Sequence, residues 1–398
     1  MKHLALARLS GGLAALFLAL GCQAAPDDCI DPLSYWALDT ATVGPGTDGQ
    51  PALGSYERIS PDGRFVLRSY SGGLLGKVSL IELPAQAGGP LRAHVTPLSN
   101  EAFPVQGSWR YLVDVQGEHY RFRDVLQHGR QARPLFKGGM TGFYAAASEL
   151  SATWPNPAPT RLHIRSLSWP QSADSERQGV GPLQLATIEV KDDGDQARVV
   201  QHHGPQFICG QRVSVDGNAF ALPMISIDGA EFSAIPQAPR QGQPSMRVYS
   251  LNPSPDGRGH PCEPLADLGS APSKAVFGFA QGPAPAWLSY SDLGHIYVFD
   301  RDLQHSFRLD HGRHRVLASA FPGLTVDGRV VYAATWEDCR QGAPCRKESG
   351  YVVSDPYQSR SYRLYWQERG TPAPKACITR GEVAEQRRRF ARFHGIDP

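Results

Sequence analysis

A short unit that recurs along the chain constrains its fold more than any other feature. Ile59 leads into Ser60, Pro61, Asp62, Gly63 and Arg64, and the apolar run Phe65, Val66, Leu67 follows. The outline returns at Ser214 with Asp216 and Gly217, at Ser226 with Asp228 and Gly229, and at Thr325 with Asp327, Gly328 and Arg329. Each copy is a hydroxyl residue, one spacer and Asp-Gly, then apolar residues. Asp-Gly makes a tight turn because glycine tolerates positive φ and the carboxylate accepts nearby backbone N–H groups. An apolar or alternating run after such a turn reads as a strand.

Further strand signatures ending in polar turns stand at residues 77–83, 246–251, 295–300 and 350–355. Turn-plus-strand units at intervals of roughly 40 to 50 residues are what propeller blades look like in sequence. Ser60 to Arg64 spells S-P-D-G-[KR] in full and resembles the TolB-type, WD40-like (PD40) propeller repeat of bacteria, in which this motif introduces the first strand of a blade. The copy at 325–329 keeps Asp-Gly-Arg but has Thr325 and Val326 in place of Ser-Pro, and the two middle copies lack the basic residue. Ser254 to Arg258 also spells the motif, yet Gly259, His260 and Pro261 follow where a strand should run, so that copy reads as a loop.

The expected fold is therefore all-β, a β-propeller of four-stranded blades with a short C-terminal helix at about 381–394. Blades are expected to start near Tyr56, Phe103, Gly142, Pro223, Lys274 and Ala320. That makes six, or seven if residues 183–190 and 207–222 build another in the long interval after Gly142; either number is allowed. The 41 glycines and 33 prolines fit a chain of short strands and many turns. The helix, from Glu382 to Arg392, is expected to pack Val383 and Phe390 on the body, leaving Arg387, Arg388, Arg389 and Arg392 as a solvated face.

The N-terminus has the layout of an export signal. Lys2, His3 and Arg8 precede an apolar stretch from Leu9 to Leu20, and small and polar residues follow. That stretch falls short of the ~20 residues a membrane-spanning helix needs. Two processing routes stay open. Leu18, Ala19, Leu20, Gly21, Cys22 resembles a bacterial lipobox, which would make Cys22 a lipidation site, while a signal-peptidase cut after Ala24 would free the chain. Residues 1–24 are thus read as signal and 25–398 as one domain, located in the periplasm, anchored to the outer membrane, or secreted.

Apart from Cys22, six cysteines enter an oxidising compartment, where disulfides are the default. Cys339 with Cys345 is the most local pair. Cys29 with Cys377 would join the two ends of the mature chain and staple a ring built from both. Cys209 with Cys262 follows by elimination. No pair has the spacing of a zinc ribbon or a CxxC redox site.

Forty basic against 38 acidic residues leave a net charge of +2, too small for a global field that captures nucleic acid. GxSxG, P-loop, dinucleotide-glycine and HExxH motifs are absent, and the sialidase-type Asp box is not matched. The metal-capable candidates are His202 and His203, and His305, His311 and His314 beside Asp310. The resemblance adds weight to them, since some TolB-like propellers, such as oligogalacturonate lyases, gather funnel histidines around a metal. Unsupported loop histidines are the commoner reading. Asp192, Asp193 and Asp195 lack the spaced ligands of a calcium loop and read as a hairpin turn. Trp109, Trp154, Trp169, Trp287, Trp336 and Trp366 could offer ring faces to a sugar, though tryptophan usually supplies core area. The expected function is a non-enzymatic binding or scaffold module for a protein or glycan partner in the cell envelope, with no cofactor. The alternative is an extracytoplasmic polysaccharide lyase or hydrolase with a metal or acid/base site in the funnel.

Overall fold

The structure is a computed structural model that describes residues 28–38, 56–70, 77–84, 91–97, 102–104, 111–116, 119–124, 133–137, 161–168, 180–191, 206–214, 224–225, 231–234, 245–250, 264–270, 275–279, 286–312, 314–339 and 344–394. The export segment, Cys22, His202, His203, Cys262, the aspartates at 192, 193 and 195, and the turns at Asp216 and Asp228 lie outside them.

The described residues form antiparallel sheets that follow one another along the chain. Strand β1 (Leu33–Ala37) comes first and belongs to the last sheet. The first sheet is β2 (Tyr56–Ile59), β3 (Phe65–Tyr70), β4 (Lys77–Glu82) and β5 (Arg92–Pro97) in that order. The second is β6 (Ala102–Pro104), β7 (Tyr111–Gln116), β8 (His119–Asp124) and β9 (Arg133–Lys137). The third has three strands, β10 (Arg161–Ser168), β11 (Val180–Lys191) and β12 (Gln206–Ser214). Strands β13 (Met224–Ile225), β14 (Glu231–Ala234), β15 (Ser245–Ser250) and β16 (Ala266–Ser270) make the fourth. The fifth is β17 (Ala275–Phe279), β18 (Ala286–Asp292), β19 (His295–Asp300) and β20 (His305–Arg308). The sixth runs β21 (Arg315–Leu324), β22 (Val330–Asp338), β23 (Arg346–Ser354) and then β1, which pairs Leu33 with Ser354 and Ala37 with Gly350. Two helices end the described chain, α1 (Arg360–Glu368) and α2 (Arg380–His394).

Side-chain alternation along β22 shows how the sheets stack. Val330, Tyr332, Ala334 and Trp336 join a core with Ile296, Val298, Phe307 and Leu309 of the fifth sheet. Val331 and Ala333 instead meet Val66, Ile81 and Leu83 of the first sheet, together with Trp36, Tyr351 and Val353. Successive side chains of a strand point to opposite faces, so a strand buried on both faces needs the unbroken apolar run that Val330 to Ala334 supplies. Each fully buried Val, Leu or Tyr side chain contributes about 1.5–3 kcal/mol of transfer free energy. The last sheet thus packs on the first as well as on the fifth. Met246 and Val248 of the fourth sheet likewise pack on Leu288, Tyr290 and Phe299 of the fifth.

The two chain ends are tied at the sixth sheet. Cys29 is bonded to Cys377, and Ile30 N donates to Ile378 O at 3.0 Å. Buried Asp355 organises the crossing: its carboxylate accepts from Tyr357 N (3.0 Å), Gln358 Nε2 (2.8 Å) and Ile378 N (2.8 Å). Cys339 is bonded to Cys345 between β22 and β23.

Three expectations are corrected here. The Asp-Gly turns at Asp62 and Asp327 do not introduce the first strand of their sheets. They join first to second, β2 to β3 and β21 to β22. Of the stretches 183–190 and 207–222, which the alternative count of seven would give to another blade, residues 183–190 and 207–214 pair as β11 and β12 in one sheet with β10, and 215–222 lie outside the described residues. Helix α1 was not anticipated. Ser359 caps it by accepting from Tyr362 N, and Tyr362, Tyr365 and Trp366 form its inner stripe.

Candidate functional site

The signature turns at the two ends of the sheet series meet each other. In the first, Ser60 Oγ donates to Asp62 Oδ1 (2.5 Å), Arg64 N donates to the same oxygen (3.0 Å), and Gly63 N closes the turn on Ser60 O (2.8 Å). In the second, Thr325 Oγ1 donates to Asp327 Oδ1 (2.5 Å) and Gly328 N to Thr325 O (2.8 Å). This explains the hydroxyl-x-Asp-Gly spacing: the hydroxyl and the carboxylate fix each other while glycine takes φ of +71° at Gly63 and +89° at Gly328.

Across the contact, Val326 N donates to Pro61 O (2.8 Å) and Arg329 Nη2 donates to Asp62 O (3.0 Å). The departure of the second copy from Ser-Pro thus has a physical reason, since proline at 326 would have no N–H to donate. A Cβ on Gly63 would stand 2.9 Å from Thr325 Cγ2, so the close approach also requires glycine.

The charges here are buried. Arg329 Nε reaches both Asp327 oxygens, at 2.9 and 3.1 Å. Burial, the largest influence, raises the Asp327 carboxyl, but the Arg329 charge and the hydrogen bonds from Arg329 and Thr325 together outweigh it and the net shift is downward. Asp62 goes the other way: burial raises it despite its bonds from Ser60 and Arg64, and Arg387 of α2 and Arg329 pull against the rise. The paired turns join sheets and expose no reactive group.

Among the described residues, the candidate histidines His305, His311 and His314 each pack on separate partners. His305 packs its ring against Phe307 and Tyr365, each at 4.9 Å. His311 Nδ1 lies 3.1 Å from Tyr332 Oη, and Tyr35 Oη donates to His311 O at 2.5 Å. Burial, then the nearby Arg308 and His295, lowers His311 to about 4, so the imidazole is neutral at pH 7. His314 stacks edge-on with Tyr35 at 4.5 Å. Asp310 accepts from Arg360 N at the start of α1. Among the described residues no group of three metal-capable side chains forms. Of the tryptophans, Trp336 is in the core and Trp366 packs on Tyr362 and Tyr365.

An exposed apolar point that sequence reasoning missed lies on the β18–β19 hairpin. Asp292 pairs with His295, which leaves Leu293 and Gly294 as a two-residue loop with φ of +49° and +77°. Such loops favour Asn-Gly or Asp-Gly. A leucine held there costs roughly 1–2 kcal/mol and gains no burial, being 80% exposed. The tip is braced on the sixth sheet by Ser319 Oγ, which donates to Gly294 O at 2.5 Å. Two residues earlier in β21, Leu317 is also exposed, at a register shift between Val316 and Ala318. Arg315, exposed and bridged to Glu337 at 3.3 Å, flanks it. The signal was Leu-Gly between the alternating runs 286–292 and 295–300, where a turn-former belongs.

No protein-family model and no curated protein matches the sequence. Among solved structures, the chain is similar to Kluyveromyces lactis Hsv2, at 10% identity over 73% of this chain and 82% of that one, with a TM-score of 0.30. A form of KlHsv2 with loop 6CD replaced by a Gly-Ser linker gives 10% identity over 74% and 97%, with a TM-score of 0.33. Kuenenia stuttgartiensis hydrazine synthase gives 12% identity over 74% and 79%, with a TM-score of 0.33. No residue role is carried over from these likenesses.

Proposed function

We propose that the chain is an exported β-propeller of about six blades that acts as a non-enzymatic binding module for a protein partner in the cell envelope. The ring reading is supported by consecutive antiparallel sheets whose last member takes the N-terminal strand and packs on the first. Export is supported by the signal-like N-terminus and by two disulfides. Among the described residues no helix is long and apolar enough to cross a membrane.

The binding reading rests on Leu293. A large apolar side chain is kept exposed in a backbone conformation it disfavours, beside a second exposed leucine on the neighbouring sheet. Strain of this kind persists where function retains it. Among the described residues the exposed large apolar side chains are leucines, while Trp36 and Trp336 are buried, which favours a protein over a glycan.

The test places a photo-crosslinking amino acid at position 293 in the full chain, expressed with its own N-terminal segment. Irradiation of envelope preparations is expected to give a discrete protein adduct that Leu317→Asp diminishes. Adducts no different from those with the same probe at exposed Arg388, on the outward face of α2, would refute the assignment.

A further inference from the structure

Helix α2 carries a charge in the middle of the face it docks with. Val383, Phe390 and Ala391 are the apolar residues of that face, with Phe390 and Ala391 buried and Val383 packed on the core. Position 387 lies four residues after Val383 and three before Phe390, on the same stripe. Its occupant is Arg387, whereas Arg388 and Arg389 point outward to Glu385 (2.9 and 2.8 Å).

The charges that face Arg387 come from both ends of the sheet series. Asp62 and Arg64 belong to the first sheet's turn, and Asp327 and Arg329 to the last sheet's turn. Arg387 Nε is buried without a hydrogen-bond partner, as is Asp62 Oδ2. The buried edge of the Arg387 guanidinium and the buried Asp62 carboxylate thus lie in each other's field without closing a bond. Neither sheet alone provides this setting, because Arg329 reaches Asp62 only where the two turns abut.

We infer that α2 is a strap that senses the junction of the first and last sheets: Arg387 seats on the paired Asp-Gly turns only when those sheets are in register, so that strap docking and closure of the seam are one event. The Cys29–Cys377 bond, three residues before the helix, keeps the strap beside its site when it lifts. A half-satisfied, part-buried charge pair suits this role, since it fixes position while giving less net stability than apolar packing would.

Hydrogen exchange of the full oxidised chain tests this at single-segment resolution. Arg387→Met is expected to speed exchange by about tenfold both in α2 and in the strands at the seam, β2 and the β21–β22 turn. Asp62→Asn, which keeps the bonds from Ser60 and Arg64, is expected to do the same and carries the test if Arg387→Met does not fold. The double variant is expected to exchange no faster than either single one, since neither charge is then left uncompensated. Arg388→Met, on the outward face, is expected to match wild type. Faster exchange in α2 with the seam strands unchanged would overturn the coupling. Single effects that multiply in the double variant would overturn the Arg387–Asp62 link.

Discussion

Removing the two disulfides separately gives a quantitative check on how the chain ends are held. Cys29 and Cys377 are 348 residues apart, and Cys339 and Cys345 only 6. In the chain-entropy relation a loop of the first length restricts the unfolded chain by about 5.8 kcal/mol and one of the second by about 2.2 kcal/mol. Realised values fall at or below such ceilings, so the expected losses are roughly 4 and roughly 2 kcal/mol. The native contacts at the ends survive in either variant. Ile30 still meets Ile378, Gln358 still reaches Ile30 O (3.3 Å), and Asp355 still holds the Ile378 amide. The difference should therefore arise in the unfolded state. Equilibrium guanidinium unfolding of Cys29→Ser/Cys377→Ser and of Cys339→Ser/Cys345→Ser, without reductant, reads it directly. The first variant should show the lower midpoint and a steeper denaturant dependence, because its unfolded chain is more expanded. Equal losses in the two variants, or a larger loss from the local pair, would refute the reasoning.

The neutral state of His311 predicts a pH dependence. Its folded pKa of about 4 lies below the ordinary 6.5, so the unfolded chain binds the extra proton first: stability is full above pH 6.5 and declines toward pH 4, by on the order of 1 kcal/mol after allowance for its partial exposure. Thermal unfolding across that range should show the decline in wild type and a flatter profile in His311→Gln; a wild-type profile in the variant would refute it. Leu293→Asn should raise stability by up to about 1 kcal/mol, because asparagine tolerates positive φ, while weakening capture of the partner. A destabilised Leu293→Asn chain would show that the leucine packs on something in the isolated protein.

Much of the strand order was legible because turn chemistry and apolar runs are local. The expected starts at Tyr56, Phe103, Pro223 and Lys274 fall within one residue of a first strand. Ala320 falls inside β21, five residues late, because that strand shifts register twice and its apolar alternation is broken before Gly323. Helix α1 was hidden for a different reason. Its inner stripe is only Tyr362, Tyr365 and Trp366, aromatic residues that read equally well as strand, and it follows β23 after a few residues. The seam was not readable at all. Asp62 and Arg329 are 267 residues apart, and no local pattern says that two like turns will abut.

That the two best copies of the repeat are the ones that touch changes what the motif means in this chain. A turn that only reversed the chain would need glycine and the carboxylate, and nothing would distinguish one copy from another. Here Pro61 offers a carbonyl that Val326 N–H takes, and Arg329 reaches past its own Asp327 to the carbonyl of Asp62. The copies are therefore complementary, and exchanging their sequences would forfeit at least the Val326 hydrogen bond, worth about 1 kcal/mol. Repetition supplied similar turns at the two ends of the series, and the differences between them let the ends recognise each other. By this logic the basic residue of the motif is a structural group in both copies: Arg64 bonds Glu82 within the first sheet, and Arg329 reaches across the seam to Asp62.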